Sequence, residues 1–394
     1  ANNIQDLQFF GEFGGVNPSI SDSSTYTFLS ANSMSETFEG NMEGCYLYSR
    51  NSSPSNLYLE EACAALEGTE AANVFSSGMG AITATILQLC KSEDHIISSR
   101  TVYGGTYAFL KNFTPQLKIE TTFVDITSLD DINNSIKPNT KIIYCEVSSN
   151  PLLEIADLEE ISKIAKKNNI KLVVDNTFTP LSISPAKYGA DVVIHSLTKF
   201  INGTSDTIAG VVCSSKEFIH SLRDVNDGAF MLMGTTMDSL RAASVLKNMR
   251  TLHIRMKKHS ENAMYLAESF EKDGIKAVYP GLKSHPSHKI FSKMMNKEYG
   301  YGGMLTIDVG SLETANKLME KMQDKNLGYL AVSLGFHKTL FCAPGSSTSS
   351  EISEEEQEKM GLSEGLIRFS VGLDQDISRT YEGIKKCLKE FNLI

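Results

Sequence analysis

The chain has 394 residues, 41% of them hydrophobic and 21% charged, which is an ordinary globular composition with material for two domains. A net charge of −10 argues against nucleic acid or an anionic membrane surface as a partner. No apolar run reaches the roughly 20 residues that span a bilayer. The first residues, ANNIQDLQFFGEFGG, lack the basic start and apolar core of a secretory signal. Seven cysteines without a CxxC pair point to reduced thiols, a cytoplasmic location and no metal site.

Residues 1–56 are rich in Gly, Ser and Asn with weak periodicity, and the cluster Tyr46, Tyr48, Arg50 suggests an arm lying on a neighbouring subunit. A helix is expected from Leu57, closed by Gly68. ANVFSSGMGAITATILQL then reads as strand, glycine turn and helix, a junction that offers free N–H groups to a phosphate. Further strands are expected in HIISSRTVYGGTYAFL, which carries Tyr103, in IETTFVDI, and in KIIYCEVSSNP, which ends on Asn150 and Pro151. LEEISKIAKKNN is a helix. Strands alternating with helices predict a parallel α/β sheet.

The stretch 171–203 holds most of the chemistry. Two apolar runs, each closing on a polar cluster, read as parallel strands delivering Asp175, and then Ser196, Thr198 and Lys199, to one crevice. A lysine amine made nucleophilic by desolvation, an acid for a ring nitrogen, and hydroxyls for a phosphate are the equipment for holding pyridoxal phosphate. The alternative at this point is an ordinary strand-end Asp and a surface Lys in a turn.

Beyond Gly203, TSDTIAGVVCSS reads as an antiparallel strand and EFIHSLRDVNDG as a helix. A long helical pattern runs from about Thr235 to Phe270, and a domain boundary is expected inside it near Lys247–Leu252. This divides the chain into an arm (1–56), a large cofactor-binding α/β domain (57–248) and a smaller α+β domain (249–394). The last has strands in KAVYP, GGMLTIDV and LIRFSVG and helices in LETANKLMEKMQD and ISRTYEGIKKCLKEF. AVSLGFHKTLFCAPGSSTSSEI reads as a turn, SEEEQEK as a solvated acidic run, and His195 as a packed neighbour of Ser196. No HxH or HExxH spacing marks a metal site.

The ordered set YSRNSSPSN, SSGMGA, YGGTY, SNP, VVDNTF, DVVIHSLTKFINGTSD, VSLG and IRFSVGLD resembles the Cys/Met-metabolism enzymes, which depend on pyridoxal phosphate and share the aspartate-aminotransferase fold (fold type I). The resemblance covers nearly the whole length. It implies that Lys199 bonds the cofactor and moves the substrate Cα proton, and that Asp175 pairs with the ring nitrogen. Ser77, Gly78, Met79, Ser196 and Thr198 would bind phosphate, with Tyr48 and Arg50 reaching in from a neighbouring subunit. Tyr103 would stack on the ring and serve as general acid. Ser333 and Arg368 would hold the α-carboxylate, with Asn150 near the ring oxygen and that carboxylate, and Tyr48 would also contact the substrate. Shared sites of this kind imply a homotetramer built as a dimer of dimers.

The substrate class implied is an amino acid with a γ-substituent, and methionine γ-lyase is the activity expected first. Cystathionine γ-lyase and γ-replacement (an O-acetylhomoserine sulfhydrylase or a cystathionine γ-synthase) are the alternatives; a catalytically inactive cofactor-binding protein is the remote one. Gly105 stands where many bacterial methionine γ-lyases have Cys. Cystathionine lyases usually read S-L-G-G-x-E, whereas this chain has Ser333-Leu334-Gly335-Phe336-His337-Lys338. Lys338 in place of an acid argues against a doubly zwitterionic substrate, and Phe336 would suit a small thioether if it faced the pocket. PGSSTSSEI departs from the family's P-A-x-x-T-H and leaves one pocket wall open.

Overall fold

Short apolar runs rich in Val and Ile, bounded by turn residues, become strands buried on both faces, and the helices between them supply the cover. The computed structural model of the chain describes residues 2–39, 42, 44–347 and 352–394. Seven strands form the larger sheet: β1 (Ala71–Phe75), β2 (His95–Ser99), β3 (Glu120–Val124), β4 (Thr140–Glu146), β5 (Lys171–Asp175), β6 (Val192–Ser196) and β7 (Gly210–Ser214). Their spatial order is β1-β7-β6-β5-β4-β2-β3. The pairs from β6 to β3 are parallel, and β7 is antiparallel to both its neighbours, as expected for TSDTIAGVVCSS. The parallel strands therefore point their carboxyl ends, and the loops that follow, at one edge of the sheet.

A second sheet, in the order β10-β11-β12-β9-β8, is built from β8 (Ala277–Val278), β9 (Met304–Asp308), β10 (Tyr329–Leu330), β11 (Leu340–Cys342) and β12 (Leu366–Ser370). Its core gathers Leu266, Phe270, Leu318, Phe341, Phe369 and Ile384, drawn from this sheet and from the helices Leu252–Lys272, Leu312–Asp324 and Ile377–Glu390. Complete burial of a phenylalanine such as Phe270 contributes about 1.5–3 kcal/mol.

Several expectations need correction. The helix expected from Leu57 starts at Pro54, because Ser53 caps it through the Asn56 N–H and Pro54 supplies a preset first-turn φ; Gly68 closes it at φ 75°. The long pattern at 235–270 is two helices, Ser239–Met249 and Leu252–Lys272, broken at Arg250–Thr251. The segment read as a turn at 331–352 contains β11, and the weakly patterned Tyr329–Leu330 pairs with it. The acidic run is the helix Glu354–Met360, capped by Ser353. Glu356 of that helix accepts the Tyr107 hydroxyl at 2.5 Å and the Lys111 ammonium at 3.2 Å. Residues 348–351 of PGSSTSSEI, together with 1, 40, 41 and 43 of the arm, lie outside the described residues.

Candidate active site

Beyond the carboxyl ends of β4, β5 and β6 lies a cavity of about 290 Å³. Ser77, Gly78, Met79, Tyr103, Asn150, Asp175, Ser196, Thr198, Lys199 and Arg368, all singled out in the sequence, line it. At one end Ser77 caps the Gly78–Leu89 helix, its Oγ accepting the Gly80 N–H at 2.9 Å. Gly78 is packed against Ser196: a Cβ built there would fall 2.9 Å from the serine Cβ. Hydroxyls and the uncapped N–H groups of a helix start thus converge where an anion is stabilised.

Lys199 occupies the middle. Its Nζ donates to Ser333 Oγ at 3.1 Å, while its backbone N–H and C=O are held within the tight turn 196–203. The turn is braced from behind: half-buried Arg255 donates to the carbonyls of Phe200 and, at 2.8 Å, Ile201. Gly335 (φ +79°) presses on the lysine backbone so closely that a Cβ there would lie 2.5 Å from the Phe200 nitrogen, and this contact sets Ser333 against the amine. Burial, and then the charge of Arg368, lowers the Lys199 pKa to about 8.

Asp175 and Glu146 sit at the far end as paired residues across the β4–β5 ladder. Asp175 accepts the Thr177 N–H at 2.9 Å, and the Thr177 hydroxyl accepts the Ser196 N–H at 2.8 Å, tying the two strand ends together. Burial raises both carboxyls above their ordinary values, and for Glu146 the neighbouring Asp175 raises it further. Such a pair is favourably met by a cationic ring nitrogen. Arg368, on β12 and 2% exposed, donates to Asn150 Oδ1 at 2.7 Å and to the Val332 carbonyl at 3.2 Å. Phosphate-type donors, an amine of lowered pKa and buried acids therefore fit a flat aldehyde that carries a phosphate and a basic ring nitrogen.

Other expected residues lie elsewhere. Ser333 is not among the lining residues, and its Oγ accepts from Lys199 Nζ at 3.1 Å. Tyr48 and Arg50 do not line it: Tyr48 is 48% exposed, and Arg50 donates to the Met231 carbonyl at 2.9 Å with its guanidinium over the Tyr48 ring. Phe336 and Lys338 do not line it either; the Lys338 ammonium sits 4.4 Å from the centre of the Tyr329 ring. The condition set for Phe336, that it face the pocket, is not met by the cavity lining. His195 points to the back of the sheet, where its Nε2 lies 2.6 Å from buried Glu67. Glu146, Thr177, Phe178, Ile208, Val332 and Leu334 line the cavity without having been singled out. At Gly105 a Cβ would fall 2.6 Å from Tyr103 Cε1, so the half-exposed tyrosine ring leans over this position and a side chain there would shift it.

Comparison with known proteins agrees with this chemistry. The family model for Cys/Met metabolism PLP-dependent enzymes matches residues 4–387. The chain is 46% identical over 369 residues to methionine gamma-lyase of Arabidopsis thaliana, covering 92% of this chain and 84% of that protein. It is 38% identical over 349 residues to cystathionine gamma-lyase of Bacillus subtilis, covering 86% and 89%. A Campylobacter jejuni structure, provisionally described as an O-acetylhomoserine (thiol)-lyase and carrying an N'-pyridoxyl-lysine-5'-monophosphate, superposes with a TM-score of 0.90 at 29% identity over 98% of this chain and 99% of that one. The architecture is that of fold type I, and the chain belongs to the Cys/Met metabolism family of enzymes that depend on pyridoxal phosphate.

Proposed function

We propose that this enzyme is a carbon–sulfur γ-lyase acting first on L-methionine, with water as co-reactant and 2-oxobutanoate, methanethiol and ammonia as products. One observation carries the choice of substrate. The apolar residues of the cavity lining include Ile82, Phe178, Ile208, Val332 and Leu334, and among the described residues no further acid or base lines it beyond Tyr103, Glu146, Asp175, Lys199 and Arg368. An apolar wall with no anion for a distal ammonium favours a small thioether over cystathionine. The methionine gamma-lyases among the relatives support the same reading.

Bound pyridoxal phosphate supplies an electron sink for the charge left when the substrate Cα proton departs. Lys199 takes that proton; an amine of pKa about 8 is partly neutral near neutral pH and is suited to the transfer. Arg368 and Ser333 hold the α-carboxylate, the planar guanidinium binding it bidentately while Asn150 Oδ1 fixes its plane. Asp175 would pair with the ring nitrogen and keep it protonated. Ser77, Gly78, Met79, Ser196 and Thr198 receive the phosphate. Tyr103 lines the cavity where it would cover the ring, and it would give a proton to the departing sulfur once a second proton has left Cβ.

Tyr48 and Arg50 are assigned to the phosphate of a neighbouring chain's site, within a homotetramer of tight dimers. Among the described residues the phosphate end of this chain's own cavity is lined by hydroxyls and N–H groups and by no guanidinium, which supports that assignment.

The discriminating experiment supplies L-methionine, L-cystathionine and O-acetyl-L-homoserine, with and without a thiol, and measures 2-oxobutanoate, thiol and amino-acid product. Equal yields of 2-oxobutanoate and methanethiol from methionine are expected. A thioether made from the ester plus thiol, with no oxo acid from methionine, would establish γ-replacement instead.

A further inference from the structure

The steps above leave one ionisable cavity residue without a part: Glu146, the last residue of β4. Both its oxygens are engaged. Oε1 accepts the Tyr103 N–H at 2.7 Å, and Oε2 accepts the Asn150 N–H at 2.9 Å. The two donors belong to different loops. One follows β2 and carries the tyrosine ring that lines the cavity; the other follows β4 and carries the amide that holds Arg368 at 2.7 Å. Glu146 is buried and stands beside a second buried acid, Asp175, so desolvation and repulsion both oppose its placement. Two separate backbone carbonyls would satisfy the same N–H groups without burying charge. A single carboxylate does something they cannot: it refers both loops to one rigid point at the end of a central strand.

We propose that Glu146 is a positioning residue that sets the distance between the ring-covering Tyr103 and the carboxylate-binding Arg368, acting on the first through its backbone N–H and on the second through Asn150. The proposal rests on the roles given above to Tyr103 and Arg368, and not on the identity of the γ-substituent. Loss of one of its hydrogen bonds frees one loop relative to the other, so binding of any α-amino acid weakens and the cofactor's surroundings lose their fixed handedness.

Glycine is the probe, because it carries the α-amino and α-carboxylate groups and nothing to eliminate. In Glu146→Gln the volume is kept, one acceptor oxygen survives, and an NH₂ group faces the other N–H. Its holoenzyme is expected to bind glycine roughly tenfold more weakly, read from the absorption change of the bound cofactor, the scale of one lost charge-assisted hydrogen bond. Its visible circular dichroism should fall at equal cofactor content. In an Arg368→Ala background the same substitution should change glycine affinity by less than about twofold, because residues acting through one contact are not additive. Unchanged glycine affinity and dichroism in Glu146→Gln would overturn the proposal, and so would an equal tenfold loss with Arg368 absent. If Glu146→Gln does not fold, Glu146→Asp, which keeps the charge and shortens the reach, is measured in the same way: weaker glycine binding with lower dichroism supports the proposal, and wild-type values overturn it. Failure to release thiol from methionine, with the glycine effect intact, would count against the lyase reading alone.

Discussion

Arg368 Nη1 and Asn150 Oδ1 lie 2.7 Å apart, joining β12 of the smaller sheet to the loop that follows β4 of the larger one. The guanidinium is buried and held in plane, with its Nη2 also fixed by the Val332 carbonyl. A bidentate partner for a carboxylate is thereby set in place before substrate arrives. Arg368→Lys keeps the charge and loses the fork. KM for methionine should rise by roughly two orders of magnitude, with a smaller fall in kcat. Steady-state kinetics decide it; an unchanged KM would place the carboxylate elsewhere.

Lys199 gives a pH dependence of definite sign. Its pKa is lowered to about 8, so the neutral amine appears as pH rises through that value instead of through 10.5. Condensation of the cofactor-free protein with pyridoxal phosphate, followed by absorption, should accelerate with a midpoint near pH 8. A midpoint at the ordinary lysine value would mean that the amine is solvated.

Legibility in the sequence followed local pattern. Asp175 and Lys199 were readable because Asp175 ends one buried apolar run and Lys199 lies in the polar turn just after the next, where such a run makes its exit. Glu146 was not: it ends a comparable run in KIIYCE, but the N–H groups that give it a task come from Tyr103 and Asn150, which folding brings to it. Arg255 was hidden for the same reason, as one cation in a long basic helix whose value lies in carbonyls more than fifty residues away. Local pattern also misdirected. Phe336 and Lys338 follow the Ser333–Gly335 turn in sequence, and only the fold shows that neither is among the residues lining the cavity. The break at Arg250–Thr251 carries neither Gly nor Pro, so periodicity ran through it.

Arg50 tests the shared site. Arg50→Ala should lower affinity for pyridoxal phosphate at least tenfold, on the order of a lost guanidinium–phosphate contact. Mixed oligomers of Arg50→Ala and Lys199→Ala chains should recover sites that neither parent has, because an intact Lys199 and an intact Arg50 then meet across a subunit boundary. Affinity equal to wild type, with no recovery on mixing, would leave the site within one chain.

His259 packs edge-on to Phe200 beside Lys199 and lies 2.6 Å from the Val371 carbonyl through Nδ1. Burial lowers its pKa from 6.5 to about 4. Between those values the unfolded chain binds a proton that the folded chain refuses, so stability falls as pH drops through 6.5 and the loss is complete below about 4. The loss amounts to about 3 kcal/mol. His259→Gln should be less stable than wild type at pH 7, and the gap should close by about that amount toward pH 4 in denaturant unfolding. A constant gap would show that His259 does not titrate on unfolding.

Everything proposed for the site depends on Lys199 as the cofactor's covalent anchor. Borohydride reduction of the purified holoenzyme, followed by proteolysis and mass spectrometry, tests this directly. One pyridoxyl phosphate group per chain is expected, carried on Lys199. Reduction that leaves Lys199 unmodified, with the label on another lysine or on none, would contradict it.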